Sequence, residues 1–265
     1  SRDGVTWTRP HCGVVAYEGS RDNNIVNLFP GQYNNLWGSV FLDADAEPSE
    51  RYKFIVSDSF TEEECSRYLL RRPGDTDAIY RREDARLRFG VRGAVSPDGI
   101  HWRILPEPLV LMHEDGLEHA YYDPALRKYV AFWRDWSAEC RDERIGDLVD
   151  TGGIRWLRSA RRAIGRSETG DFQNFPLSEI VLEPDPRLSP SQVYYAPCKT
   201  AVPGAPNLHL LFPTVWDTAD DTTSVLLAVS RDGRQWHRIS ETPVLGTDTF
   251  GRWDGGCIFA VPNLM

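Results

Sequence analysis

Carboxylates gather at two places in this 265-residue chain. Glu114, Asp115, Glu118 and His119 crowd one short stretch, and Asp254 stands in the run Trp253-Asp254-Gly255-Gly256. Two carboxyl groups that face each other across a bond can divide acid–base hydrolysis between them, one protonated and one ionised. The same residues read as a solvated acidic loop and as a turn. His119 can hydrogen-bond a ligand hydroxyl or merely satisfy a loop carbonyl. Aromatic and cationic side chains are available to hold a ligand: Trp37, Trp136 and Trp216 could stack on its apolar face, although a given Trp is more often core. Arg134 could lower the pKa of a neighbouring carboxyl. Arg161 and Arg162 could grip a carboxylate in two-pronged fashion.

Other chemistries lack their residues. There is no P-loop, GxGxxG, HExxH or GxSxG pattern, and the six histidines are scattered. The cysteines (Cys12, Cys65, Cys140, Cys198 and Cys257) are widely spaced without a CxxC pair, so free thiols are expected and no zinc site. No metal or cofactor is called for; an axial Ca²⁺ is compatible with the chain but has no ligand pattern behind it. The formal net charge of −9 argues against nucleic acid and against an anionic membrane surface. No apolar run approaches the ~20 residues of a membrane span. The odd cysteine count leans toward the cytoplasm, and oligomeric state is not legible. An acidic surface suits a neutral ligand such as a sugar, and solubility explains it equally well.

What positions these residues is a repeat. Ser1 opens SRDGVTW, Ser96 opens SPDGIHW and Ser230 opens SRDGRQW, and a looser copy, SETGDFQNF, is read from Ser167. In each, Asp-Gly makes a tight turn, Ser and Asp cap its N–H groups, and the aromatic residue begins the next strand. A strand precedes each of the later copies, at Leu87 to Val95, Arg161 to Arg166 and Ser224 to Val229. Before each of those lies a pair of apolar strands around a turn: Ser39 to Leu42 with Arg51 to Val56, Ala120 to Tyr122 with Lys128 to Trp133, and Val193 to Ala196 with Leu208 to Pro213. Nine Trp, ten Tyr and eleven Phe beside two Met fit such strands. The expectation is an all-β chain of four-stranded antiparallel sheets arranged as propeller blades. Residues 28–110, 111–184 and 185–245 make full blades. Residues 1–27 end one blade and 246–265 begin another, as expected of a fragment or of a truncated or unusual propeller. One helix is predicted over Thr61 to Arg72, with Thr61 as N-cap and Glu64 completing a capping box.

GSVFLDADAEPSERYKFIV (Gly38 to Val56), EDGLEHAYYDPALRKYVAFWR (Glu114 to Arg134), RRAIGRSETGDFQNF (Arg161 to Phe175) and SRDGRQWHRI (Ser230 to Ile239) stand in an order that resembles bacterial proteins of the arabinanase, levansucrase and invertase superfamily. WTRPHCGVVAYEGSRDNNIV (Trp7 to Val26) is similar to the same group. The resemblance implies a five-bladed β-propeller with an axial funnel, and glycoside hydrolysis by acids near the first strands of different blades. It implies Asp115 and Asp254 as the acid–base pair, with Glu118 in support. Trp37, His119, Arg134, Trp136, Arg161, Gln192, Tyr194 and Trp216 then become the expected sugar contacts. Asp43 and Asp123 follow apolar strands but read as turn residues. The third full blade departs from the pattern, because Gln192 stands where relatives carry an acid. That departure leaves a non-catalytic propeller that binds a glycan or a protein as the alternative.

Overall fold

The computed structural model describes residues 1–26, 38–74, 89–112, 116–137, 148–151, 154–157 and 161–260. Its first sheet is an antiparallel meander of β1 (Ser39–Leu42), β2 (Tyr52–Ser59), β3 (Phe89–Ser96) and β4 (Arg103–Val110). The second is another, of β5 (His119–Asp123), β6 (Lys128–Trp136), β9 (Arg162–Thr169) and β10 (Glu179–Leu182). A hairpin, β7 (Leu148–Thr151) with β8 (Ile154–Leu157), is inserted before β9. The sequence did not announce this hairpin.

The third sheet is one blade broken across its middle. Its upper half pairs β11 (Gln192–Ala196), β14 (Thr214–Asp217), β15 (Thr222–Val225) and β18 (Leu245–Gly246). Its lower half pairs β12 (Lys199–Val202), β13 (Ala205–Leu211), β16 (Ala228–Ser230) and β17 (His237–Arg238). Pro197 and Pro213 stand at the break, where a missing N–H interrupts the ladder. Hydrogen bonds from Phe212 N to Cys198 O (2.8 Å), Leu226 N to Pro213 O (3.0 Å) and Val244 N to Val225 O (2.8 Å) carry the pairing across it.

Both faces of the second sheet are covered. Along β6, Ala131 and Trp133 pack toward the first sheet with Ile55, Val91, Leu109 and Phe175. Val130 and Phe132 pack toward the third with Ile164, Tyr194, Leu211 and Trp236. Alternate residues of a strand point to opposite faces, so a strand buried on both sides needs apolar residues throughout. The sheets are therefore stacked face to face in chain order. The first strands of the first two meet: Ser39 Oγ lies 3.3 Å from Ala120 N and 3.4 Å from Ala120 O.

The repeated turn is built by its own residues. Ser96 Oγ accepts the Gly99 N–H (2.9 Å), Asp98 Oδ1 accepts those of Ile100 and His101 (both 2.8 Å), and Trp102 Nε1 donates to Gly99 O (3.0 Å). The Ser230 copy makes the same bonds. So does the Ser1 copy, although Trp7 is 67% exposed. Gly4, Gly99 and Gly233 have φ of 72°, 77° and 69°, a region a side chain disfavours. The fourth copy begins at Thr169, a correction of two residues to the reading from Ser167. Thr169 Oγ1 accepts the Asp171 N–H (3.0 Å), Asp171 Oδ1 accepts that of Gln173 (2.9 Å), and Phe175 occupies the Trp position. Ser167 is instead a core residue, accepting the Trp133 indole N–H at 2.7 Å. Ser96→Ala should cost about 1 kcal/mol, the loss of a buried cap. The expected signature is a lower urea midpoint at unchanged slope.

The helix is α1 (Glu62–Arg71), with Thr61 as N-cap and both capping-box bonds to Glu64 in place. Cys12, Cys65, Cys198 and Cys257 are free thiols, and Cys140 lies outside the described residues. Among the described residues no helix is long and apolar enough to cross a membrane.

Candidate functional site

The strands β5 and β11 begin at the end of the stack where β2, β6 and β14 finish, and the candidate residues that the structure describes lie mostly there. Glu118 heads β5. It is only 4% exposed, and burial pushes its pKa up to about 8, against the pull of the Ser57 and Glu118 backbone N–H groups. Neither carboxyl oxygen has a hydrogen-bond partner that meets full geometry among the described residues. Burial thus favours the protonated carboxylic acid at Glu118.

His119 follows on the opposite face. Burial, then the charge of Lys199, holds its pKa down to about 3, so the ring is neutral. It stacks on Tyr121 (5.7 Å) and Phe132 (6.4 Å). Lys199, at the head of β12, places its ammonium 3.8 Å from the centre of the Tyr121 ring, and burial lowers its pKa to about 8.

Between the second and third sheets two buried guanidinium groups share one ring. Arg134 lies 4.6 Å from the centre of Tyr195, and Arg162 lies 4.9 Å from it. Arg162 is also 5.0 Å from Trp216 and 5.8 Å from Trp136. Trp216 meets Tyr195 edge-on at 5.6 Å, and Phe259 joins at 5.8 Å. Such contacts favour the charged form of arginine away from water. Trp136, Tyr195 and Trp216 are partly exposed, so this cluster reaches the surface.

Several expected ligand contacts have structural partners instead. Arg161 donates to the carbonyls of Ser189 (2.9 Å) and Gln192 (2.6 Å). The Gln192 amide oxygen accepts the Ser189 N–H (3.2 Å), closing the loop before β11. Tyr194 is fully buried in the core, and its neighbour Tyr195 faces the arginines. The sequence reading missed Tyr195. The period of two along β11 was the available signal, since only one of two adjacent tyrosines can face the seam. Asp43 and Asp123 cap their turns, accepting the N–H groups of Asp45 (3.0 Å) and Ala125 (3.0 Å).

Asp254 is held in a turn in which Gly255 N donates to Arg252 O (3.1 Å). A Cβ on Gly255 would lie 2.5 Å from Thr249 O, so the turn requires glycine there. The chain then runs extended beside β15, where Thr223 N donates to Gly256 O (2.9 Å) and Ile258 N to Thr223 Oγ1 (2.6 Å). Among the described residues no hydrogen bond or ion pair joins Asp254 to Glu118. Asp115 and Trp37 lie outside the described residues. Among the described residues no group of three or more His, Cys, Asp or Glu side chains is placed to hold a metal ion.

No family model matches the chain, and no curated protein matches it. Solved structures do. A glycoside hydrolase superposes at a TM-score of 0.50 and 10% identity, over 89% of this chain and 64% of its own. A thermostable family-43 glycoside hydrolase gives 0.45 at 12% identity over 74% and 53%, and fructan 1-exohydrolase IIa from Cichorium intybus gives 0.44 at 11% over 81% and 33%. The chain thus spans between a third and two thirds of the length of these structures. At such identities the likeness is one of fold, and this chain shares its arrangement of sheets with the structure described as a glycoside hydrolase.

Proposed function

We propose that this chain belongs to a five-bladed propeller that hydrolyses glycosidic bonds at the end of the sheets where Glu118 lies. The observation that carries this is Glu118: a carboxyl kept protonated by burial, at the head of an inner strand, in a glycoside hydrolase fold. Glu118 gives its proton to the departing glycosidic oxygen. A second, ionised carboxyl takes a proton from the attacking water, and Asp115 and Asp254 are the two candidates for it. The partly exposed rings of Trp136, Tyr195 and Trp216 offer apolar faces for the sugar. Arg134 and Arg162 stiffen those rings from behind.

A second reading is favoured by the third sheet. Gln192 cannot ionise, and its amide is bound to Ser189. A propeller with a single competent acid would bind a glycan without cleaving it. Incubation with aryl α-L-arabinofuranosides and β-fructofuranosides separates the two readings. Hydrolysis releases the aryl alcohol together with the free sugar, the first read by its absorbance and the second by carbon NMR of the anomeric carbon. Saturable heat of binding without any released product would replace hydrolysis by binding alone.

A further inference from the structure

At the opposite end of the first two sheets lies a cavity of about 230 Å³, lined by Glu50, Lys53, Leu105, Tyr129, Phe172 and Gln173 among others. Lys53 stands at its base. The five residue steps of β2 from Lys53 to Asp58 put it ~17 Å from the mouth end of that strand. The side chain is nearly all buried, and among the described residues the nearest carboxylate to its ammonium is Glu50, at ion-pair distance. The ammonium lies 5.1 Å from the centre of the Phe172 ring and 5.9 Å from that of Tyr129, and 3.8 Å from Glu50 Oε2, beyond hydrogen-bond reach. Burial lowers its pKa, with Glu50 and Asp43 opposing. The ammonium thus lines an open cavity with a carboxylate at ion-pair distance and two aromatic rings beside it, and a ligand oxygen entering the cavity would meet its N–H donors.

The surroundings select the acceptor. Glu50 already pairs with Arg103, the Asp43 carboxylate accepts the Tyr129 hydroxyl at 2.6 Å, and Asp171 sits in the rim. Three carboxylates against Lys53 and Arg103 leave the cavity with surplus negative charge, which repels an anion, while Lys53 at its base repels a cation. A neutral ligand with oxygen acceptors for Lys53 and hydroxyl donors for the carboxylates satisfies both. Val95, Leu105 and Phe172 supply apolar walls for its C–H faces. The volume is below the roughly 300–1,000 Å³ of pockets for larger ligands, and fits one ring. We propose that this cavity is a second ligand site, separate from the mouth, that takes a single neutral sugar ring with Lys53 as its hydrogen-bond donor.

The chain has three lysines, Lys53, Lys128 and Lys199, so protein labelled with ¹³C-lysine gives three resolvable ε-CH₂ signals. The Lys53→Arg and Lys128→Arg variants assign them. Titration uses methyl β-D-xylopyranoside and methyl α-L-arabinofuranoside, with sodium acetate as the anionic comparison. The expected result is a saturable shift of the Lys53 signal with a glycoside in the millimolar range, the Lys128 signal staying still. Lys53→Met keeps the stem over the rings and removes the donors, so the calorimetric signal of this site is lost. A Lys53 signal that ignores both glycosides, or that moves more with acetate, overturns the proposal. Lys199 lies against His119 near the mouth, so binding there is read on a different resonance, and hydrolysis can fail while the Lys53 site stands.

Discussion

Glu118→Gln should lower turnover of an aryl glycoside by about 10²–10⁴-fold, the usual contribution of a positioned general acid. The amide has the shape of the protonated carboxyl and cannot give up a proton to a leaving oxygen. Because burial favours the uncharged form of wild-type Glu118 in the fold, the substitution alters packing little. Its effect on stability has a pH signature that a merely structural residue would lack. The folded-state pKa is raised from 4.5 to about 8, so the unfolded chain releases this proton first. Between those values the folded state binds more protons than the unfolded one. Stability of the wild type therefore falls as pH rises through this window and levels off above it. The variant has no such group, so its urea midpoint should gain on the wild type from about pH 4.5 to about pH 8. Full turnover in Glu118→Gln would remove Glu118 as proton donor. A constant stability difference across the window would show that the carboxyl is not buried in its neutral form.

What the sequence disclosed, and what it withheld, follows from the range of the interactions. The Ser-x-Asp-Gly-x-x-Trp turn is written within seven residues, and its bonds form even around the exposed Trp7. The capping box on Thr61 is equally local. The fourth turn was misregistered because Ser167 and Thr169 both offer a hydroxyl, and Phe172 replaces the usual Gly. Only the fold shows that Ser167 is taken by Trp133, 34 positions away. The aromatic and arginine seam depended on strand pairing. Arg161 and Arg162 are indistinguishable as residue types, yet one holds the carbonyls before β11 and the other enters the aromatic cluster. The Lys53 cavity was illegible, since its rings come from positions 129 and 172 and meet only when two sheets stack.

Trp133→Ala should be the most destabilising single substitution in the core of the second sheet. The side chain has no exposed surface, meets Phe175 edge-on at 5.6 Å, and donates its indole N–H to Ser167 Oγ. Ser167 Oγ passes the bond on to Pro176 O at 2.9 Å, so one side chain fixes both the face of β6 and the path of the segment after the fourth turn. Truncation to alanine leaves a cavity between the first and second sheets at a cost of about 3–5 kcal/mol, much of the 5–15 kcal/mol available to a typical domain. Trp133→Phe separates packing from the hydrogen bond. It restores most of the volume but leaves Ser167 without its donor, and should cost about 1–3 kcal/mol. Equilibrium urea unfolding, followed by circular dichroism because fluorescence would lose a reporter, measures both. If the alanine variant lost no more than the phenylalanine variant, the two sheets would not be held together by this contact, and face-to-face stacking of blades would lose its principal energetic support.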